Sequence, residues 1–175
     1  EEKQINLVNT GAFCIDGAQL ASWLSQITNN NAQSEYYITD LPKIAAEEGY
    51  KTAVAITQDM EEVQGCNTRA DLAALEKTLR FRLCLEAMHN GAQIMDPATT
   101  YLHHDTKIAK NAIIEPNVFF GSGVSVGEDA HIKAFSHIEG VKIGKGVSIG
   151  PFARLRPGTV LEEGARIGNF VEVKK

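Results

Sequence analysis

From Ile108 onward every sixth residue is apolar: Ile108, Ile114, Phe120, Val126, Ile132 and Ile138. After one step of five the series resumes as Ile143, Ile149, Leu155, Leu161, Ile167 and Val173. The residue four places after each apolar position is small or β-branched, as at Ala112, Val118, Val124, Ala130, Ser136, Val147, Ala153 and Thr159. A helix repeats near 3.6 residues and a simple strand near 2, so a period of six predicts short strands joined by tight corners. Three such sides form a triangular coil of about 18 residues, with equivalent residues stacked about 4.8 Å apart on parallel strands. The repeat therefore predicts a parallel β-helix over residues 92–175, with residues 92–107 leading into it.

The N-terminal part follows a different pattern. QINLVNTGAFCID and YKTAVAIT read as strands, Leu20, Trp23, Leu24 and Ile27 recur at helical spacing, and EYYITDLPKIAAEEG suggests a second short helix. Alternating elements of this kind predict part of an α/β domain over residues 1–67. Two strands and two helices cannot cover both faces of a sheet, so a missing upstream partner is expected. Thr68 and Asp71 have the spacing of a capping box. Leu72, Leu75, Leu79 and Leu83 follow at helical intervals until Asn90 and Gly91, predicting a linker helix over residues 68–91.

The repeat also brings charges together. Arg156 and Lys174 each follow the apolar residue of their hexad and lie one coil apart. Their mutual repulsion, on the order of 1–3 kcal/mol near a surface, calls for an anion or an acid between them. A phosphate suits the fork of an arginine and the point charge of a lysine. Arg154 lies one coil below Glu172 and is expected to pair with it as a structural salt bridge.

Composition narrows the function classes. The 175 residues carry a formal charge of −5 and have a pI near 5.5, which gives no basic field for nucleic acid or an anionic membrane. No apolar run approaches the roughly 20 residues of a membrane span, and EEKQINL has no signal-peptide character, so a cytoplasmic protein is expected. Cys14, Cys66 and Cys84 are odd in number, widely spaced and without a CxxC pair, which suits reduced thiols. His131 and His137 are six apart and should lie on different sides of the prism, which argues against a histidine-bound zinc site of carbonic anhydrase type.

Four segments carry a family resemblance. VNTG at 8–11, NNNAQSEYYITD at 29–40 and EVQGCNTRADLAALE at 62–76 resemble the C-terminal part of the uridyltransferase domain of bifunctional N-acetylglucosamine 1-phosphate uridyltransferase/glucosamine 1-phosphate acetyltransferase. GPFARLRPGTVLEEGARIGNFVEVKK at 150–175 resembles the start of that family's acetyltransferase site. The resemblance implies a Rossmann-like nucleotidyltransferase portion, a linker helix and a left-handed β-helix that assembles as a homotrimer. It implies acetyl-CoA-dependent acetylation of glucosamine 1-phosphate, then uridylyl transfer from UTP with Mg²⁺, giving UDP-N-acetylglucosamine for cell-wall precursors. It places Asn9 on the bound UDP-N-acetylglucosamine, Asn67 on Mg²⁺ through its carbonyl oxygen, and Arg156 and Lys174 on sugar-phosphate. Read without the resemblance, Asn9 equally suits a turn and Asn67 a helix cap.

The family's glycine-rich phosphate loop and the acid that shares the magnesium are not in this sequence. The acetyltransferase base of the family is a His beyond Lys175, so no catalytic residue is expected here and the 175 residues alone are expected to catalyse neither reaction. Two other readings remain: a sister sugar-phosphate nucleotidyltransferase with an appended β-helix, and a non-enzymatic trimerising scaffold.

Overall fold

The computed structural model describes residues 7–174, which divide into two compact units, Glu1–Gly65 and Cys66–Lys175. In the first unit Asp16 caps α1 (Gly17–Gln26), its carboxylate accepting from the Ala18 amide, and a 3₁₀ turn at Ile38–Asp40 leads into α2 (Leu41–Glu47). Trp23, Ile27, Leu41 and Ala45 form its small core. The Trp23 indole donates to Glu48 at 2.8 Å, and Tyr50 meets the same ring edge-on at 5.1 Å.

Both expected helices of this unit are present; the expected strands are not. Residues 7–16 and 50–57 contain no strand, and residues 4–6 of the first candidate lie outside the described residues. Val54 is 85% exposed and Ile56 59%. A strand is stable only when another backbone pairs with it and its apolar face is covered. Among the described residues of this unit no segment pairs with either stretch, so the Rossmann-like portion expected from the sequence is not seen in this chain.

The second unit opens with α3 (Arg69–His89). Its capping box is complete: the Thr68 hydroxyl accepts from the Asp71 amide at 3.1 Å, and the Asp71 carboxylate accepts from the Thr68 amide at 2.8 Å. Of the leucines at helical spacing, Leu83 packs against the core of the β-strand region. Leu72 and Leu79 are half exposed, whereas Cys84 and Ala87 are buried and join the core of the β-strand region.

Among the described residues thirteen two-residue strands follow, from β1 (Gln93–Ile94) and β2 (Lys107–Ile108) to β13 (Glu172–Val173). They form a parallel β-solenoid of the left-handed β-helix type, with three sheets in the orders β1-β3-β6-β9-β12, β13-β10-β7-β4 and β11-β8-β5-β2. The apolar residue of each hexad is the second residue of a strand and points inward. Ile114, Ile132, Ile138 and Ile149 are 0% exposed, and Ala112, Val118, Ala130 and Val147 fill the corners between them at 0%. The five-residue step between Ile138 and Ile143 is absorbed without a change of register: β8 pairs with β5 and β9 with β6, so inward residues still stack on inward residues. Val141, 0% exposed, takes the corner position of the shortened hexad. The sequence pattern does not reveal β1, which joins the first sheet by pairing with β3, Ile94 opposite Ile114.

Candidate functional site

Strands β10 (Arg154–Leu155) and β13 pair with Arg154 opposite Glu172 and Leu155 opposite Val173. Leu155 and Val173 point inward, so the residues on either side of them point outward: Arg154 and Arg156 on one coil, Glu172 and Lys174 on the next. The Arg156 amide donates to the Val173 carbonyl at 3.2 Å, which extends the register and sets Arg156 beside Lys174.

One carboxylate organises these cations. Glu172 Oε1 accepts from Arg156 Nε at 2.7 Å and lies 2.6 Å from its Nη2, a forked contact, while Glu172 Oε2 lies 3.6 Å from Lys174 Nζ. Arg154, the partner expected from the sequence, is 3.9 Å away through Nε. Glu172 therefore occupies the place between Arg156 and Lys174 that like-charge repulsion reserves for an anion. Its loss of hydration would raise the carboxyl, but the hydrogen bond and charge of Arg156, with Lys174 behind them, hold it below the ordinary value of 4.5. Three cations and one acid leave this exposed patch net positive on a chain that is negative overall. The sequence named Glu172 only as the partner of Arg154, although its position two residues before Lys174 puts both on one face.

The two asparagines lie elsewhere. Asn9 is exposed in the first unit, and its side-chain oxygen accepts from the Gly11 amide at 2.8 Å, an Asx turn completed by Gly11 at φ +79°. Asn67 is exposed at the start of the second unit, its backbone amide donating to Asp71 Oδ2 at 3.1 Å. Its side chain offers one oxygen to a cation. The neighbouring Asp71 carboxylate is turned onto the Asn67 and Thr68 amides, and the described residues contain no group of three His, Cys, Asp or Glu side chains able to hold a metal ion. These residues do not by themselves make a magnesium site.

His131 and His137 stand on different sheets. His131 bonds Glu115 at 2.7 Å, and His137 stacks on Phe119 with ring centroids 4.6 Å apart. Among the described residues no helix is long and apolar enough to cross a membrane.

Comparison with known proteins agrees with this architecture. Residues 105–140 and 140–175 each match the family model described as bacterial transferase hexapeptide (six repeats). Along 174 residues, 99% of the chain, the sequence is 47% identical to the bifunctional protein GlmU of Azorhizobium caulinodans. It is 46% identical over its full length to the GlmU of Zymomonas mobilis and 40% to that of Bartonella quintana. The chain is similar along its length to these GlmU proteins. It spans about 39% of the length of these curated relatives. The hexapeptide match begins at Asp105, within the turn that feeds β2, and runs through the strands that carry Arg156 and Lys174.

Proposed function

We propose that this chain is part of a bifunctional transferase that makes UDP-N-acetylglucosamine. In this reading residues 1–67 belong to the uridyltransferase portion, 68–91 to a linker helix and 92–175 to the start of the acetyltransferase β-helix. The observation that carries it is similarity along the whole chain to proteins named bifunctional GlmU, spanning both the helical unit and the hexapeptide repeats. The parent protein would be cytoplasmic, trimeric through the β-helix, and dependent on Mg²⁺, UTP and acetyl-CoA.

Arg156 and Lys174 are proposed to hold the phosphate of glucosamine 1-phosphate. A bound phosphate would displace the Glu172 carboxylate from the guanidinium fork or share the cations with it, and either fixes the sugar by one end. With the phosphate anchored, the 2-amino group is presented to the acetyl thioester of acetyl-CoA, so the attack becomes effectively unimolecular. The amine loses its proton to a general base supplied outside this chain, the thioester C–S bond breaks as the amide forms, and coenzyme A leaves as its thiol. Asn9 is proposed to contact the UDP-N-acetylglucosamine in the first unit. Asn67 is proposed as a single carbonyl ligand to Mg²⁺, with its partner acid elsewhere in the full-length protein.

The test is pyrophosphate release by the full-length product of the parent gene, comparing UTP plus N-acetylglucosamine 1-phosphate with other nucleotides plus glucose 1-phosphate. Preference for the first pair supports the reading. Preference for another pair moves the protein to a sister nucleotidyltransferase and removes the roles given to Arg156 and Lys174. Loss of glucosamine 1-phosphate binding in Arg156→Ala separates an enzyme site from a trimerising scaffold.

A further inference from the structure

The sheet containing β3 (Ile113–Ile114), β6 (His131–Ile132), β9 (Ser148–Ile149) and β12 (Arg166–Ile167) carries a second cationic feature, apart from Arg156 and Lys174. On this sheet the position after the inward residue runs Glu115, Lys133, Gly150, Gly168 along successive coils, set by bonds from the Lys133 amide to Ile149 and from the Gly150 amide to Ile167. The missing side chain at exposed Gly168, beside the buried Gly150, leaves an open depression of about 550 Å³. Lys133, Ser148, Arg166 and Asn169 line it together with the glycines, and no acidic residue does.

Its two cations, like Lys107 and Lys142, have no carboxylate partner among the described residues, whereas others on the solenoid do. Lys110 lies 3.5 Å from Glu128, Lys145 lies 3.6 Å from Asp129, and Arg156 lies 2.6 Å from Glu172. Neither Lys133 nor Arg166 has a carboxylate within ion-pair distance among the described residues, although the chain has 22 acidic residues against 17 basic ones. Lys133 and Arg166 start two coils apart and on opposite sides of the inward residue, a separation of about 12 Å at the parallel-strand spacing and rise. Both side chains are long enough to converge on an anion seated over Gly150. The floor there is fixed by the fold: Gly150 has φ +82°, and a Cβ would sit 2.5 Å from Ser136 Oγ. Ser148 and Asn169 add a hydroxyl and an amide donor beside it.

We propose that this depression binds a phosphate-type oxyanion, with Lys133 and Arg166 supplying the charge and Ser148 and Asn169 the neutral hydrogen bonds. The anion is either free inorganic phosphate or the phosphate of a monoester such as a nucleotide.

The test is a titration of the ¹⁵N-labelled chain with inorganic phosphate and, separately, with UMP, following backbone amide shifts. Saturable shifts at Gly150, Gly168 and Asn169 are expected, weakened about tenfold or more by Lys133→Ala and by Arg166→Ala and unchanged by Arg156→Ala. Gly168→Glu is expected to abolish them by placing a carboxylate between the cations. A side chain there fits, its nearest neighbour being Val171 Cγ2 at 3.8 Å, and an unaltered circular dichroism spectrum confirms folding. Tighter binding of UMP through the same residues assigns the site to an ester, and equal binding assigns it to free phosphate. Absence of saturation up to about 20 mM, indifference to the Lys133 and Arg166 substitutions, or shifts lost only in Arg156→Ala would overturn the proposal.

Discussion

Gly127→Ala should be among the most damaging single-methyl changes in the solenoid. Gly127 has no unusual backbone angle, so alanine meets no conformational penalty there; the obstacle is the next coil. An added Cβ would lie 2.6 Å from the Gly144 carbonyl carbon and 2.8 Å from both the Gly144 oxygen and the Lys145 nitrogen. Non-bonded carbons settle at about 3.5–4.0 Å, so the neighbouring backbone must retreat by about 1 Å. It has nowhere to go. The Gly127 amide donates to the Ile143 carbonyl and the Gly144 amide to the Leu161 carbonyl, both at 2.8 Å. Gly144 is itself crowded, with Glu163 N and Leu161 O each 2.9 Å from where its own Cβ would be. Overpacking costs about 1–3 kcal/mol and each weakened ladder bond about 1 kcal/mol. The lower entropy of alanine in the unfolded chain offsets about 0.5 kcal/mol, leaving about 3 kcal/mol. The control is Gly146→Ala. Gly146 has φ +63° and nothing within 4 Å of an added Cβ, so it carries only the left-handed backbone penalty of about 1 kcal/mol. In urea melts followed by circular dichroism, with a slope near 2 kcal/mol per molar, Gly127→Ala should lower the midpoint by about 1.5 M and Gly146→Ala by about 0.5 M. The reverse order would refute the claim that backbone-to-backbone stacking makes Gly127 obligatory.

Three further outcomes follow from single groups. Burial pushes the Cys84 thiol from an ordinary value near 9 up to about 11, while Cys14 and Cys66 are exposed. A thiol reagent at pH 8 should therefore modify two thiols of the native chain and the third only after unfolding. The unfolded thiol ionises first, so stability should fall as pH rises from about 9 to 11, by about 2–3 kcal/mol in all, and Cys84→Ala should flatten that slope. Asp71 is held below its ordinary 3.8, first by the Asn67 amide and then by Thr68. Its contribution is thus present above pH about 4 and lost as pH falls through the lowered value; amide protection at Asn67 and Thr68 should drop in acid, and Asp71→Asn should show that loss already at neutral pH. Glu172→Gln removes the acid that competes for Arg156 and Lys174. Titration with glucosamine 1-phosphate should show several-fold tighter binding, whereas weaker binding would mean that the carboxylate positions the cations for the ligand.

Some of this molecule is written locally. The six-residue period named every inward residue of β2 to β13, because a short strand between tight corners has only one inward position and stacking demands that it be apolar in each coil. The same spacing set Arg156 beside Lys174, and Thr68 with Asp71 marked the start of α3, since a cap involves groups only three residues apart. Other features depend on what a segment meets in three dimensions. YKTAVAIT has strand composition but no backbone among the described residues pairs with it, and β1 exists because its Gln93–Ile94 pair meets β3 across a connection that breaks the period. The α3 leucines recur at helical spacing, yet only the C-terminal end of the helix, with Leu83, Cys84 and Ala87, packs against the solenoid core, while Leu72 and Leu79 stay half exposed. Register placed Glu172 opposite Arg154, and the carboxylate keeps that ion pair at 3.9 Å while making its shorter, forked contact with Arg156. Sequence determined which positions turn inward; the tertiary structure decided how the outward side chains pair, since their reach spans coils and register alone does not select among partners.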